Sequence, residues 1–344
     1  MKRLEFITLG VGMSLLFGCQ SYRYYDPQKP HHGQEGFLNN YDNSPKQSFW
    51  KWQWERWTTE KPKEAPFTPE VLKTDTTFLK NNKTEPTLTW IGHSSFLLQL
   101  EGMNILTDPV FSARTSPVSF AGPKRQVALP FQLEELPAID VVVISHNHYD
   151  HLDLATLKKL SQRPDNKTIF LVPLGNQKLL QSEGIQKVQE YDWWDQVKAG
   201  PLNFILTPTQ HWSARGLFDN NETLWGAWYI QGTTQKVFFA GDTGYSKDFQ
   251  DVASKLGPVD LALIPIGAYE PRWFMKKHHV NPSEAVQIHK DLQAKKSVAI
   301  HWGTFRLSDE AMISPAEDLK KSLSEQRLSE NDFILMKHGE RISL

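Results

Sequence analysis

The string Ser145-His146-Asn147-His148-Tyr149-Asp150-His151-Leu152-Asp153 constrains this chain most, because His146, His148, Asp150 and His151 put metal-ligating side chains at near-alternate positions. It follows Val141-Val142-Val143-Ile144, an apolar run that suits a strand buried on both faces. Ligands just past such a strand would converge in a loop at the sheet's carboxyl edge, where open α/β folds place their sites. Imidazole and carboxylate in this mixture suit zinc or iron; calcium and magnesium prefer shells made of oxygen alone. The bland alternative, a solvated loop that happens to be rich in His and Asp, does not account for the spacing.

More strands end the same way. From Thr87 the pattern becomes short β-rich runs at 88–91, 96–100 and 104–107. Further on, the run 202–206 leads to His211, Val237-Phe238-Phe239-Ala240 leads to Gly241-Asp242, and Ser297-Val298-Ala299-Ile300 leads to His301. A lone His after a strand is usually a satisfied core residue, but three ligand types in order behind the first string are not independent. Gly241 allows the tight turn that would bring Asp242 inward. The single cysteine of the 344 residues excludes a disulfide framework and a Cys-rich finger, so the ligands must be His and carboxylate. With 38 basic against 39 acidic side chains, no basic field exists for a nucleic-acid partner.

The amino terminus reads as an address. Met1-Lys2-Arg3 precedes an apolar run at 6–17, too short for a spanning helix of about 20 residues. Leu16-Phe17-Gly18-Cys19 resembles the lipobox of bacterial lipoproteins. That resemblance implies a signal peptide at 1–18, a diacylated Cys19 as membrane anchor, and a cell-envelope protein; Gln20 in place of an acidic residue points to the periplasmic face of the outer membrane. A plain anchor helix or a buried first helix is the alternative. Residues 19–86, polar and Pro-containing, are expected to form a tether and an aromatic arm ahead of a hydrolase domain at 87–344. In the arm Trp50, Trp54 and Trp57 share one helical face, which predicts burial against the body over insertion into a bilayer.

The string 146–151 resembles the signature of the metallo-β-lactamase superfamily. The resemblance implies an α/β fold, a four-layer αββα sandwich with the metals at the edge between two mixed sheets. It assigns His146, His148 and His211 to one Zn2+, Asp150, His151 and His301 to a second, and Asp242 as the bridge. The chain is more closely similar to the N-acylphosphatidylethanolamine-hydrolysing phospholipase D family. Trp90-Ile91-Gly92-His93-Ser94-Ser95, Thr107-Asp108-Pro109-Val110-Phe111, Gly241-Asp242-Thr243-Gly244-Tyr245, the stretch 264–275 with His279-Val280, and Ile300-His301-Trp302-Gly303-Thr304-Phe305 carry that likeness. What it implies is hydrolysis of a membrane phospholipid to phosphatidic acid and N-acylethanolamine, with Asp150, Asp242 and His279 catalytic. Tyr149, Tyr269, Arg272, Trp273 and His279 would meet the substrate. Residues 269–275 look too irregular for a helix and could equally be a packed surface loop, with Arg272 an ion-pair partner or a phosphate contact. His278 and His289 are expected to be solvated or structural. Rival readings are a lactonase or phosphodiesterase for small soluble esters and a non-catalytic metal-binding envelope lipoprotein; a homodimer is compatible with any of them.

Overall fold

Strand residues alternate between faces, so a strand apolar on both must be covered on both, and two such sheets stack into four layers. The computed structural model of the chain describes residues 22–45, 47–58, 67–165 and 167–344; the segment 1–18 and Cys19 lie outside them. The helices are α1 (Phe49–Thr58), α2 (Thr76–Asn81), α3 (Leu154–Ser161), α4 (Gln177–Ser182), α5 (Asp248–Leu256), α6 (Arg272–Met275), α7 (Pro282–Asp291) and α8 (Ser314–Glu325). Strands β1 (Thr87–Gly92), β2 (Ser95–Leu100), β3 (Met103–Thr107), β4 (Val141–Val143), β5 (Ile169–Pro173) and β6 (Val188–Tyr191) form the first sheet with the last strand of the chain. The second contains β7 (Gln196–Ala199), β8 (Leu202–Thr207), β9 (Ala227–Gln231), β10 (Lys236–Phe239), β11 (Leu261–Pro265), β12 (Lys296–Ile300) and β13 (Phe333–Ile334), and β14 (Arg341–Ser343) returns to pair antiparallel with β1.

Both sheets are mixed. Antiparallel pairs join β1, β2 and β3, whereas β3 to β6 run parallel; the second sheet repeats the plan, with β7 to β10 antiparallel and β10 to β13 parallel. Alternation then sorts the core. Val141 and Val143 join Leu98, Phe204, Trp228 and Val298 between the sheets. Val142 points outward, where it meets Leu157 and Leu160 of α3 and Leu180 of α4. On the far side Phe238 and Ile264 pack under Phe249 of α5, Val286 of α7 and Leu319 of α8. This is the four-layer αββα sandwich expected, and the runs read as strands are strands.

The amino-terminal segment departs from expectation. Residues 22–45 are a belt fastened to the body: Tyr22, Tyr24 and Phe37 pack on the inter-sheet core, and Asp192 accepts from Lys29 Nζ at 2.6 Å, His31 Nε2 at 2.7 Å and His32 Nε2 at 2.9 Å. Burial opposes ionisation of Asp192, but these donors hold its pKa well below the carboxylate range. Ser48 starts α1 by accepting from the Lys51 amide. The tryptophan that α1 buries is Trp52, stacked on Phe274 at 4.8 Å and donating Nε1 to Asp309. Trp50, Trp54 and Trp57, expected against the body, face solvent, because periodicity groups residues without saying which side the body lies on. Residues 272–275 also form a short helix where an irregular loop was expected.

A buried side-chain bond from β9 reaches the loop after β4. Trp228, fully buried on β9, donates Nε1 to the Ile144 carbonyl at 2.8 Å. Trp228→Phe keeps most of the ring and orphans that carbonyl, and should lower unfolding free energy by about 1–3 kcal/mol in urea titration; an unchanged midpoint would deny the bond its role.

Candidate metal centre

Each donor arrives from the end of a strand. β4 delivers the loop 145–153, β8 leads to His211, β10 to Asp242 and β12 to His301. The β10 turn needs its glycine: Gly241 has φ +60°, and a Cβ there would lie 2.3 Å from that of Ser145. Asp153 closes the loop by capping α3, accepting from the Ala155 and Thr156 amides.

Three imidazole nitrogens converge first. His146 Nε2 lies 2.8 Å and His211 Nε2 3.4 Å from His148 Nδ1. The outer hydrogen bonds set two of these rings. Ser145 Oγ donates to Asp108 at 2.5 Å and so accepts from His146 Nδ1 at 2.9 Å; the His278 carbonyl can only accept, so the His211 Nδ1 at 2.9 Å carries the proton. Both Nε2 atoms therefore turn lone pairs inward, and at most the proton of His148 can be shared among three nitrogens. A cation resolves such a cluster.

The second group has a carboxylate. Asp150 Oδ2 lies 3.3 Å from His151 Nε2 and 3.2 Å from His301 Nε2, while Asp242 Oδ2 is 3.2 Å and 3.1 Å from the same nitrogens. Donor atoms around a tetrahedral zinc, bound at about 2.0–2.1 Å, lie about 3.3 Å apart, so this set fits a metal. Asp242 Oδ2 is also 3.9 Å from both His146 Nε2 and His211 Nε2. It stands between the groups, where a bridging carboxylate belongs. His151 Nδ1 meets Asp108 Oδ2 at 2.6 Å, which fixes its Nε2 toward the site.

Electrostatics point the same way. Burial disfavours charge on all these groups, yet the imidazoles pull Asp150 and Asp242 well below the carboxylate range. Against the same burial, Asp242 and Asp150 lift His301 to about 9 and His151 well above its ordinary value. Burial leaves His148 and His279 at about 4 and holds His146 and His211 well below the ordinary imidazole value. Buried Asp242 and largely buried Asp150 thus call for positive charge at the two points where the donors converge.

The other expected site residues divide. His279 faces the centre, its Nδ1 3.8 Å from Asp242 Oδ2 and without a hydrogen-bond partner among the described residues. Together with Trp212 it ends a cleft of about 650 Å³ whose walls include Phe49, Trp52, Trp273, Phe274 and Met275. Trp273 is therefore in the cleft. Arg272 also borders it, but its guanidinium is committed to Glu284 at 2.7 Å and the His279 carbonyl at 2.9 Å, so it positions His279. Tyr269 is buried with its hydroxyl bonded to Asp318, away from the cleft, and Tyr149 lines a separate hollow under the Arg215 guanidinium. Neither is where a substrate contact was expected: the loops that carry them turn the rings toward α8 and toward residue 215. His278 borders the cleft, and His289 is buried with Nδ1 2.8 Å from Ser297 Oγ.

Sequence reasoning missed three residues. His93 Nε2 reaches Asp150 Oδ2 at 3.0 Å, and it follows β1 as the other ligands follow their strands, a signal that was available. Asp108 aligns His151 and Ser145. Arg215 donates to the carbonyls of Asn147 at 2.8 Å and Leu152 at 2.9 Å, clamping the ligand loop from 60 residues or more away in sequence, which no local pattern could reveal.

Comparison with known proteins agrees with this geometry. Residues 103–302 match the model of the beta-lactamase superfamily domain. The chain is 43% identical over 265 residues, 73% of its length and 74% of the relative's, to N-acyl-phosphatidylethanolamine-hydrolyzing phospholipase D 1 of Caenorhabditis elegans. It is 39% identical over 239 residues to the mitochondrial N-acyl-phosphatidylethanolamine-hydrolyzing phospholipase D of Saccharomyces cerevisiae, spanning 67% of this chain and half of the yeast protein. Among solved structures, the metallo hydrolase Igni18 of Ignicoccus hospitalis aligns with TM-score 0.56 at 23% identity over 76% of this chain and 99% of its own. An isothiocyanate hydrolase from Delia radicum gut bacteria aligns at 0.60 and 19% over 75% and 98%; these two likenesses concern the fold.

Two donor groups sharing one carboxylate should give purified protein about two zinc ions per chain by elemental analysis, and Asp242→Asn about one or fewer. Two ions retained in the variant would remove Asp242 as the bridge.

Proposed function

Since this chain belongs to the beta-lactamase superfamily, and within it to the N-acyl-phosphatidylethanolamine-hydrolysing phospholipase D family, we propose that it is a zinc phosphodiesterase cleaving N-acylphosphatidylethanolamine-like phospholipids to phosphatidic acid and N-acylethanolamine. That it is a metal-dependent hydrolase follows from the family. The substrate reading is carried by one observation: the cleft that reaches His279 beside Asp242 is walled by aromatic and apolar side chains from α1 and α6. A small soluble ester would not need such walls, whereas acyl chains would lie along them with the phosphodiester at the polar end.

His146, His148 and His211 would hold one zinc, Asp150, His151 and His301 the other, and Asp242 both. Bound there, the ions supply Lewis acidity toward a phosphoryl oxygen and lower the pKa of water. The protein's own groups do the positioning. Asp108 and Ser145 keep His151 and His146 facing inward, Arg215 keeps their loop closed, and Arg272 fixes the backbone of His279. The unpartnered Nδ1 of His279 is placed to hydrogen-bond an oxygen of the phosphodiester entering from the cleft. Pre-set donors of this kind cost no reorganisation when charge develops.

Incubation with a panel containing N-acylphosphatidylethanolamine, phosphatidylcholine, a soluble lactone and a p-nitrophenyl phosphodiester in ¹⁸O-water, read by mass spectrometry, tests the reading. N-acylphosphatidylethanolamine should be preferred, with label in phosphatidic acid and none in the N-acylethanolamine, and Asp150→Asn should lose at least about a hundredfold in kcat/KM. Preference for the lactone, or label in the amide product, would overturn it.

A further inference from the structure

The two faces of α1 meet different surroundings. Trp52 holds the helix down through Phe274 and Asp309, and Arg56 adds an ion pair to Asp309 at 3.2 Å. On the opposite face Trp50, Trp54 and Trp57 are 79%, 66% and 86% exposed. Their i, i+4, i+7 spacing makes a continuous indole stripe. Single exposed apolar residues are ordinary, but an aromatic stripe fixed beside a ligand cleft marks an interaction surface.

Continuity with the cleft says what that surface meets. Ring contacts run from Trp50 to Phe49 at 5.7 Å, on to Trp52 at 5.8 Å, Phe274 at 4.8 Å and Trp273 at 5.6 Å. The last four of these line the cleft that ends at His279. A protein partner would need only the outer stripe, whereas an amphiphile moving from a bilayer toward the metal centre needs apolar surface the whole way. Indole, apolar in body with a polar N–H, suits the boundary between headgroups and acyl chains. Cations lie alongside: Lys51 sits over Trp273 at 4.5 Å, and exposed Lys276 borders the cleft, where lipid phosphates would be drawn. With ten residues, α1 is about 15 Å long, half of what a bilayer core requires; among the described residues no helix is long and apolar enough to cross a membrane. The geometry is that of a helix lying in the interface plane.

We propose that Trp50, Trp54 and Trp57 dock the protein on a phospholipid bilayer, with the mouth of the cleft turned to the headgroups. The purpose of docking rests on the lipid-substrate reading above; its test does not, because binding is measured on lipids outside that substrate class.

Protein beginning at residue 20, which lacks the apolar run 6–17 and Cys19 and keeps every described residue, is mixed with vesicles of equal parts phosphatidylcholine and phosphatidylglycerol with brominated acyl chains. Tryptophan emission should be quenched. Adding Trp50→Ser, Trp54→Ser and Trp57→Ser should remove most of the quenching and weaken vesicle binding at least about tenfold, while hydrolysis of a soluble p-nitrophenyl phosphodiester stays unchanged. Leu217→Ser with Phe218→Ser, at another exposed apolar tip (91% and 92%), should leave binding intact. Vesicle binding by the triple variant equal to its parent's, binding lost only in the Leu217/Phe218 variant, or a triple variant that merely dissociates a dimer while still binding vesicles would each overturn the proposal. Intact Trp-dependent binding without cleavage of N-acylphosphatidylethanolamine would support docking and count against the substrate reading alone.

Discussion

A carboxylate buried as deeply as that of Asp242 is tolerable only where positive charge surrounds it, and much of the molecule is arranged to gather that charge. Five imidazoles approach one of its oxygens within 3.9 Å. They come from the ends of three strands and from the segment leading into α7, so no single element makes the site. Only the stacking of the two sheets brings those ends to one edge. The core between the sheets, from Val141 and Val143 to Phe239 and Ile300, is therefore the footing of the centre as well as of the fold.

Around the donors sits a layer that leaves them little freedom. Asp108 is buried, which pushes its pKa up, while His151 and Ser145 pull against that rise; its two oxygens hold the Ser145 amide, the Ser145 hydroxyl and the His151 ring at once. The backbone carbonyl of His278 does the same for His211. Asn39 of the amino-terminal belt exchanges hydrogen bonds with the backbone of His211, accepting from its amide and donating to its carbonyl. The belt is thus coupled to the first donor group, and Asp192, bonded to Lys29, His31 and His32, secures the other end. Outer partners of this kind commonly change metal affinity or activity 10- to 100-fold.

What was legible in the sequence was whatever local pattern can encode. Strands β4, β8, β10 and β12 are apolar runs that end in a ligand, and both their course and their delivered side chains follow from neighbours within ten residues. His93 obeys the same rule, at the end of β1. Arg215, Asp108 and Asn39 act across the fold, so nothing beside them in the chain announces their partners. Tyr269 shows the converse: an aromatic residue in a promising motif, turned away from the cleft with its hydroxyl bonded to Asp318 on α8. The indole stripe of α1 lies between these cases, since its periodicity was visible and only the position of Phe274 and Asp309 decides that Trp52 is the face held down.

The account stands or falls on Asp242 joining two metal positions. Diffraction data collected on both sides of the zinc absorption edge, from crystals of the zinc-loaded protein, locate the metals directly. Two anomalous peaks about 3.5–4 Å apart, one bonded to His146, His148 and His211, the other to Asp150, His151 and His301, and both within bonding distance of Asp242, are what the geometry predicts. A single peak, or a second one held by His93 and Asp150 out of reach of Asp242, would contradict it.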